Sequence, residues 1–287
     1  MPATETGMTG QSTASDTQTA IAADIAVPTS AVALGATLDY DAPPLPGDAL
    51  PLLWHWIFFR PTIAQAQIGE DGHPRKGGFL PDLGLPRRMW AGGRLRFHAP
   101  VTVGSAITRE SSILNVSEKQ GRTGKLGFVT VNHRIYCEGT FAIDEEQDIV
   151  YREPAAPGAP APAPTAAPDS AQWHRQIVPD EVLMFRYSAL TFNGHRIHYD
   201  KPYATQVEGY PNLVVHGPLI ATLLMDLLRR HCPDGKVLEF SYKAMRPSFM
   251  GNALHLCGQP SADGKTVELW SKDHEGWLTM TARATLA

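Results

Sequence analysis

Two hydrophobic periods run through this 287-residue chain. Between His216 and His231 the pairs Leu219/Ile220, Leu223/Leu224 and Leu227/Leu228 recur at spacing four. That spacing gives a broad apolar face and predicts a helix wrapped by other structure. Pro218 sits where the first helical turn tolerates a missing N–H, and Arg229, Arg230 and His231 suit the negative end of the helix dipole. Cys232-Pro233 stops the helix. Elsewhere the apolar residues alternate. Arg94–Phe97, Ala106–Val116 and Gly127–Tyr136 read as strands, separated by a turn at Pro100 and Gly104 and by "EKQGRTGK". After the helix the same order returns: a strand leading to Pro247, a turn at Gly251, a strand, "SADGK", a strand, a turn at Gly276 and a last strand. Matching punctuation in two antiparallel meanders predicts an internal duplication. A long apolar helix followed by a meander predicts a sheet curled around that helix.

The two meanders are divided by "EPAAPGAPAPAPTAAPDS". Alternating Ala and Pro supports neither a ladder nor a helix, so 153–170 reads as a linker or solvated strap. Residues 1–34, rich in Thr, Ser, Ala and Gly, read as a mobile tail. The units are then 35–152 and 171–287.

A net charge of −4 argues against an electrostatic grip on nucleic acid or membrane. No apolar run approaches the roughly 20 residues of a membrane span, and "MPATETGMTGQSTASDTQTA" has neither a secretory nor a transit pattern. Cys137, Cys232 and Cys257 are odd in number and far apart, which reads as reduced thiols in a cytoplasmic protein rather than a disulfide frame or zinc site. "GHPRKGG" is basic and glycine-rich but lacks the Lys-Ser/Thr and helix of a phosphate-binding loop. Trp54 and Trp56 read as strand core or interface.

The densest chemistry is "LTFNGHRIHYD", Leu190–Asp200. With the residues that follow, "TFNGHRIHYDKPYATQVEGYPNLVVHGPLI" resembles the hydratase motif of the MaoC-like branch of the hot-dog fold, at Asn193, His198, Asp200, Ala204 and Val214–Gly217. "LPLLWHWIFFRP" and "LPRRMWAGGRLRFHAPVTVG" resemble the N-terminal half of its double-hot-dog subgroup, which includes mesaconyl-C4-CoA hydratases and type 2 hydroxyacyl-thioester dehydratases. The resemblance implies an α+β double hot-dog: two antiparallel sheets, the C-terminal one wrapped around the long helix and carrying the catalytic residues. It implies reversible hydration of a 2-enoyl-CoA, with mesaconyl-C4-CoA to citramalyl-CoA as the preferred pair and no metal or organic cofactor. Alternatives are a 3-hydroxyacyl-thioester dehydratase of fatty acid metabolism and a non-catalytic acyl-CoA-binding protein; a homo-oligomer is compatible with either. The sequence departs from the wider family in having Asn193 where that family has Asp, and His195-Arg196 where it has Asn-Pro.

Adding water to an enoyl thioester needs a base for the water, an acid for the α-carbon and a donor for the enolate oxygen. His198 is the candidate base, since imidazole titrates near neutrality. Asn193 cannot exchange a proton but can hold water. Gly217, at the start of the apolar helix, offers a free N–H as oxyanion donor. For the substrate, Arg196 suits a carboxylate, and Lys243 and Arg246 suit the coenzyme A phosphates. His195 is a further candidate contact. His216 is expected to orient the loop, and Asp200 either reacts or caps the turn at Lys201-Pro202.

Overall fold

The computed structural model describes residues 19–121, 124–153 and 163–287. It contains one ten-stranded antiparallel sheet with helices packed against it. The strands are β1 (Thr19–Ile25), β2 (Arg87–Phe97), β3 (Ala106–Gly121), β4 (Gly124–Cys137), β5 (Thr140–Arg152), β6 (Trp173–Ile177), β7 (Val237–Ala244), β8 (Leu254–Pro260), β9 (Thr266–Lys272) and β10 (Leu278–Leu286). Their order is β1-β3-β4-β5-β2-β7-β10-β9-β8-β6. Each half therefore runs first, third, fourth, fifth, second in its own chain order. This is the duplication the punctuation predicted, and the double hot-dog the motifs implied. The expected pair of sheets is joined edge to edge, because β2 pairs with β7 from Gly92↔Lys243 to Arg96↔Glu239.

Three helices fill the inner face: α1 (Pro28–Thr37), α2 (Glu181–Thr191) and α3 (Gly217–His231). The leucine pairs of α3 are buried, as their spacing requires. Its Asp226 is also buried, and it is met by Arg175 of β6, by Arg229 and Arg230, and by the Tyr40 hydroxyl. Burial pushes the Asp226 carboxyl up, with Arg230 and Arg175 acting against it. The N-terminal half has no counterpart of α3 between β1 and β2; it has α1, then irregular chain with short 3-10 turns at Trp54–Ile57 and Gln65–Gln67.

Three expectations are corrected. The predicted tail 1–34 is ordered from Thr19: β1 pairs with β3 from Thr19↔Ser112 to Ile25↔Ala106, and Ala31 and Leu34 of α1 are buried. Backbone pairing at a sheet edge leaves Ile21 and Ile25 exposed, so the apolar pattern gave no sign of it. Residues 1–18 lie outside the described residues, as do 154–162 of the predicted linker. The end of that linker is not a free strap: Thr165 C=O accepts from Leu278 N–H at 2.8 Å, and Ala167 N–H donates to Gly276 C=O at 3.1 Å. Trp54 lies in the 3-10 turn rather than a strand, though it is buried core as expected.

Candidate active site

The candidate catalytic stretch, Asn193–Asp200, follows α2. Asp180 caps that helix through Leu183 N–H, and Phe192 in the left-handed conformation ends it. Asn193 Oδ1 then accepts from His195 N–H at 3.0 Å, a local turn that throws the chain into a 3-10 turn at Arg196–His198. His198 is buried. Its Nδ1 lies 2.7 Å from Val214 O, and since a carbonyl only accepts, Nδ1 carries the proton and Nε2 keeps its lone pair. Its ring stacks on His216 at 3.7 Å, and His216 Nε2 lies 2.8 Å from Ser188 Oγ of α2. His216 thus lies between the His198 ring and α2. Gly217 opens α3, whose first-turn N–H groups have no carbonyl within the helix. A Cβ at Gly217 would stand 2.8 Å from the Trp90 ring, so β2 of the N-terminal half forms one wall here.

Burial, above all, holds the His198 imidazole at about 3, with the charges of His195 and His73 adding to it and the Val214 bond opposing it. His195 is held at about 3 by burial and then by His73. Burial drives His216 well below the ordinary imidazole value. At neutral pH these three rings are neutral. The site offers a lone pair to a water proton, and the protonated ring that results is a strong acid.

Several candidate contacts are otherwise engaged. Arg196 donates from Nε and Nη2 to Asp200 Oδ2 at 3.0 and 2.7 Å, gives a third bond to Glu70 O, and lies over the Tyr203 ring. Asp200 Oδ1 accepts from Tyr203 N–H, which is the capping role. Arg196 and Asp200 therefore staple the loop rather than stand open for substrate. Lys243 is exposed next to buried Tyr242 in β7, so strand alternation puts it on the face of the sheet opposite to Tyr242. Arg246 pairs with Asp273 at 3.4 Å.

Sequence reasoning missed a segment of the N-terminal half. Asp71 and His73 lie against the catalytic stretch: Asp71 O accepts from Arg196 N–H at 2.9 Å, and the His73 ring is 4.0 Å from that of His195. His195 in turn meets His198 edge-on at 5.4 Å. Asp71 Oδ2 lies 3.1 Å from His73 Nδ1. The potential ligand atoms of Asp71, His73 and His195 are within 4.8 Å of one another, the one such group among the described residues. The only available signal was the sequence "EDGHP" itself, in which an acid and an imidazole flank a glycine.

The family model for hydroxyacyl-thioester dehydratase type 2 matches residues 53–250, a span that includes this whole site. The chain belongs to that family. It is 46% identical over 260 residues to the mesaconyl-C4-CoA hydratase of Chloroflexus aurantiacus, covering 89% of this chain and 91% of that one. Among solved structures it resembles HtdX of Mycobacterium tuberculosis, with a TM-score of 0.68 at 16% identity over 92% of this chain and 98% of that one. A second M. tuberculosis protein, described as a double hot-dog, matches with a TM-score of 0.53 at 16% identity over 95% and 97%. At those identities the two structures speak for the fold.

Proposed function

We propose that this protein reversibly adds water to a 2-enoyl-CoA, converting mesaconyl-C4-CoA to citramalyl-CoA. One observation carries the reading: His198, its Nδ1 bound to Val214 O and its Nε2 unprotonated, stacks on His216, the residue that precedes Gly217 at the start of α3. A base for water and a donor for the thioester oxygen are the two groups that hydration needs first. In the forward direction His198 takes a proton as water oxygen bonds to the β-carbon. Negative charge moves to the thioester oxygen, where the Gly217 N–H and the dipole of α3 stabilise it. Asn193, whose Oδ1 is bound to His195 N–H, shapes the loop; its amide hydrogens remain available to orient water. The substrate choice is supported by the relative at 46% identity. The reading uses no metal or organic cofactor and places the reaction in the cytoplasm, with the CoA thioester as the partner molecule. Among the described residues no helix is long and apolar enough to cross a membrane.

The family's own description favours a second reading, dehydration of a longer 3-hydroxyacyl thioester. Recombinant protein assayed with mesaconyl-C4-CoA, crotonyl-CoA and a long-chain enoyl-CoA separates the two. The proposal expects the highest kcat/KM with mesaconyl-C4-CoA. A preference for the long chain would favour the second reading, and binding without turnover of any of the three would leave an acyl-CoA-binding protein.

A further inference from the structure

Hydration requires two proton transfers, one from water and one to the α-carbon. His198 accounts for the first. Asn193, at the motif's other catalytic position, has no titratable proton, and its carbonyl oxygen is already used within its own loop. The structure brings another group to this place from the opposite half of the chain. The loop Gly69–Arg75 closes on itself through Gly69 N–H to His73 O at 2.7 Å and Arg75 N–H to Gln67 O at 3.0 Å. It seats on the catalytic stretch so closely that a Cβ on Gly72 would fall 1.8 Å from Gly194 O. Arg196 clamps it there through Glu70 O and Asp71 O. Within the loop, Asp71 accepts from His73 N–H at 3.0 Å and faces His73 Nδ1 at 3.1 Å.

Burial pushes the Asp71 carboxyl up, but the hydrogen bonds and charge of His73 outweigh it and hold the group well below the usual carboxylate range. An ionised carboxylate only accepts, so His73 Nδ1 carries a proton and Nε2 is the nitrogen free to exchange one. His73 and His198 therefore share a design: Nδ1 is anchored to an acceptor and Nε2 is left to react.

We propose that His73, held by Asp71, is the second proton-transfer group of this site. The proposal rests on the hydratase reading above. In hydration, His198 Nε2 takes one proton of water while the oxygen bonds to the β-carbon. The π pair passes to the thioester as an enolate, and the α-carbon then takes the Nε2 proton of His73 in its imidazolium form, which keeps its Nδ1 proton on Asp71 and is left neutral. His198 now holds the proton that His73 has lost, and exchange through His195 or solvent returns it; the sum is one water added. The groups facing His73 are Asp71 in its own loop and His195 and His198 in the catalytic stretch, with Arg88 of β2 acting on the same His195. A proton donor makes the rate fall as pH rises past the point where it loses its proton.

The test compares the full-length wild type with His73→Gln and Asp71→Asn on mesaconyl-C4-CoA and crotonyl-CoA. His73→Gln should lower kcat by about 10²-fold with little change in KM, and should abolish exchange of the product's α-hydrogen in deuterium oxide. Asp71→Asn, which removes the carboxylate facing His73 Nδ1, should cost less and move the alkaline limb of the pH–rate profile to lower pH. If His73→Gln does not fold, as judged by its melting curve, the limb shift in Asp71→Asn decides alone. A His73→Gln enzyme within about threefold of wild type, outside what loss of an acid–base group predicts, would overturn the proposal. So would an unmoved limb in Asp71→Asn, or a stoichiometric divalent metal in the purified protein that His73→Gln releases. An inactive wild type would remove the hydratase reading and this proposal with it; an active wild type with unaffected variants removes the proposal alone.

Discussion

His198 is useful because of what surrounds it. Val214 O fixes its tautomer and His216 fixes its plane, so that Nε2 is unprotonated before substrate arrives. Replacing it by Ala should lower turnover by about 10²-fold or more with little change in affinity for the CoA ester, since a base acts in the transition state. Steady-state kinetics with direct binding measurements check this. Asn193→Asp keeps the oxygen that accepts from His195 N–H, so the loop should form. The new negative charge should raise the pKa of the neighbouring imidazoles and shift the pH–rate profile upward; an unchanged rate and profile would place residue 193 outside the chemistry. Burial also gives these rings a part in stability. His195 and His198 have folded-state pKa values of about 3, below the ordinary 6.5, so the unfolded chain binds more protons between those values. Their stabilisation is complete above pH 6.5 and is lost as pH falls toward 3. The melting temperature should drop on going from pH 6.5 to 5, a window above the usual carboxylate range, with proton uptake on unfolding measurable by calorimetry in buffers of different ionisation enthalpy.

At the scale of elements, two loops are locked by backbone rather than by side chains. Gly72 has φ +87° and no room for a Cβ against Gly194 O. Gly72→Ala should therefore detach the 69–75 loop and lower activity while the sheet and α3 still fold. Activity loss with a nearly unchanged far-ultraviolet spectrum is the expected pair of results. The second contact is the end of the Ala/Pro segment. A deletion that removes Thr165–Ala167 takes away two bonds to the chain entering β10, together with the packing of Ala167 near Cys257, Trp270 and Leu278. It should lower stability by about 1–3 kcal/mol, the net worth of two such bonds, as read by urea denaturation. The turn punctuation located most of the strands, yet neither lock was legible, because a glycine's freedom and a carbonyl's partner are set by chain that is distant in sequence.

Over the whole molecule, the seam between β2 and β7 makes the halves interdependent. Trp90 stacks on Tyr242 at 4.4 Å and meets Trp56 at 5.8 Å, so rings from both halves share one cluster beside Gly217. Trp56 Nε1 in turn donates to the buried Glu145 carboxylate, which also faces His55. Burial would push that carboxyl up, but the His55 bond and charge pull it to about 2. The C-terminal half contains Asn193, His198 and Gly217 but neither this wall nor the Asp71–His73 loop. Expressed alone it should expose the edge of β7 and show no hydratase activity, and co-expression of residues 1–153 should restore both solubility and turnover. An active C-terminal half would mean that the seam serves stability only.

What the sequence determined by itself was whatever depends on near neighbours along the chain. The four-residue spacing of leucines made α3, alternation and Pro/Gly punctuation made the meanders, and the compact Asn193–Asp200 motif carried the family resemblance. What the tertiary structure decided depends on distant neighbours. It engaged Arg196, a candidate substrate contact, with Asp200, and it gave Asp200 the Tyr203 N–H of the turn it caps. It put Lys243 on the far face, because the seam fixed which side of β7 is buried. It ordered Thr19–Ile25 through pairing that leaves no apolar pattern behind. And it set His73 beside His195, 122 positions further along the chain (195 minus 73), an approach that no local spacing records and that only closure of the two halves creates.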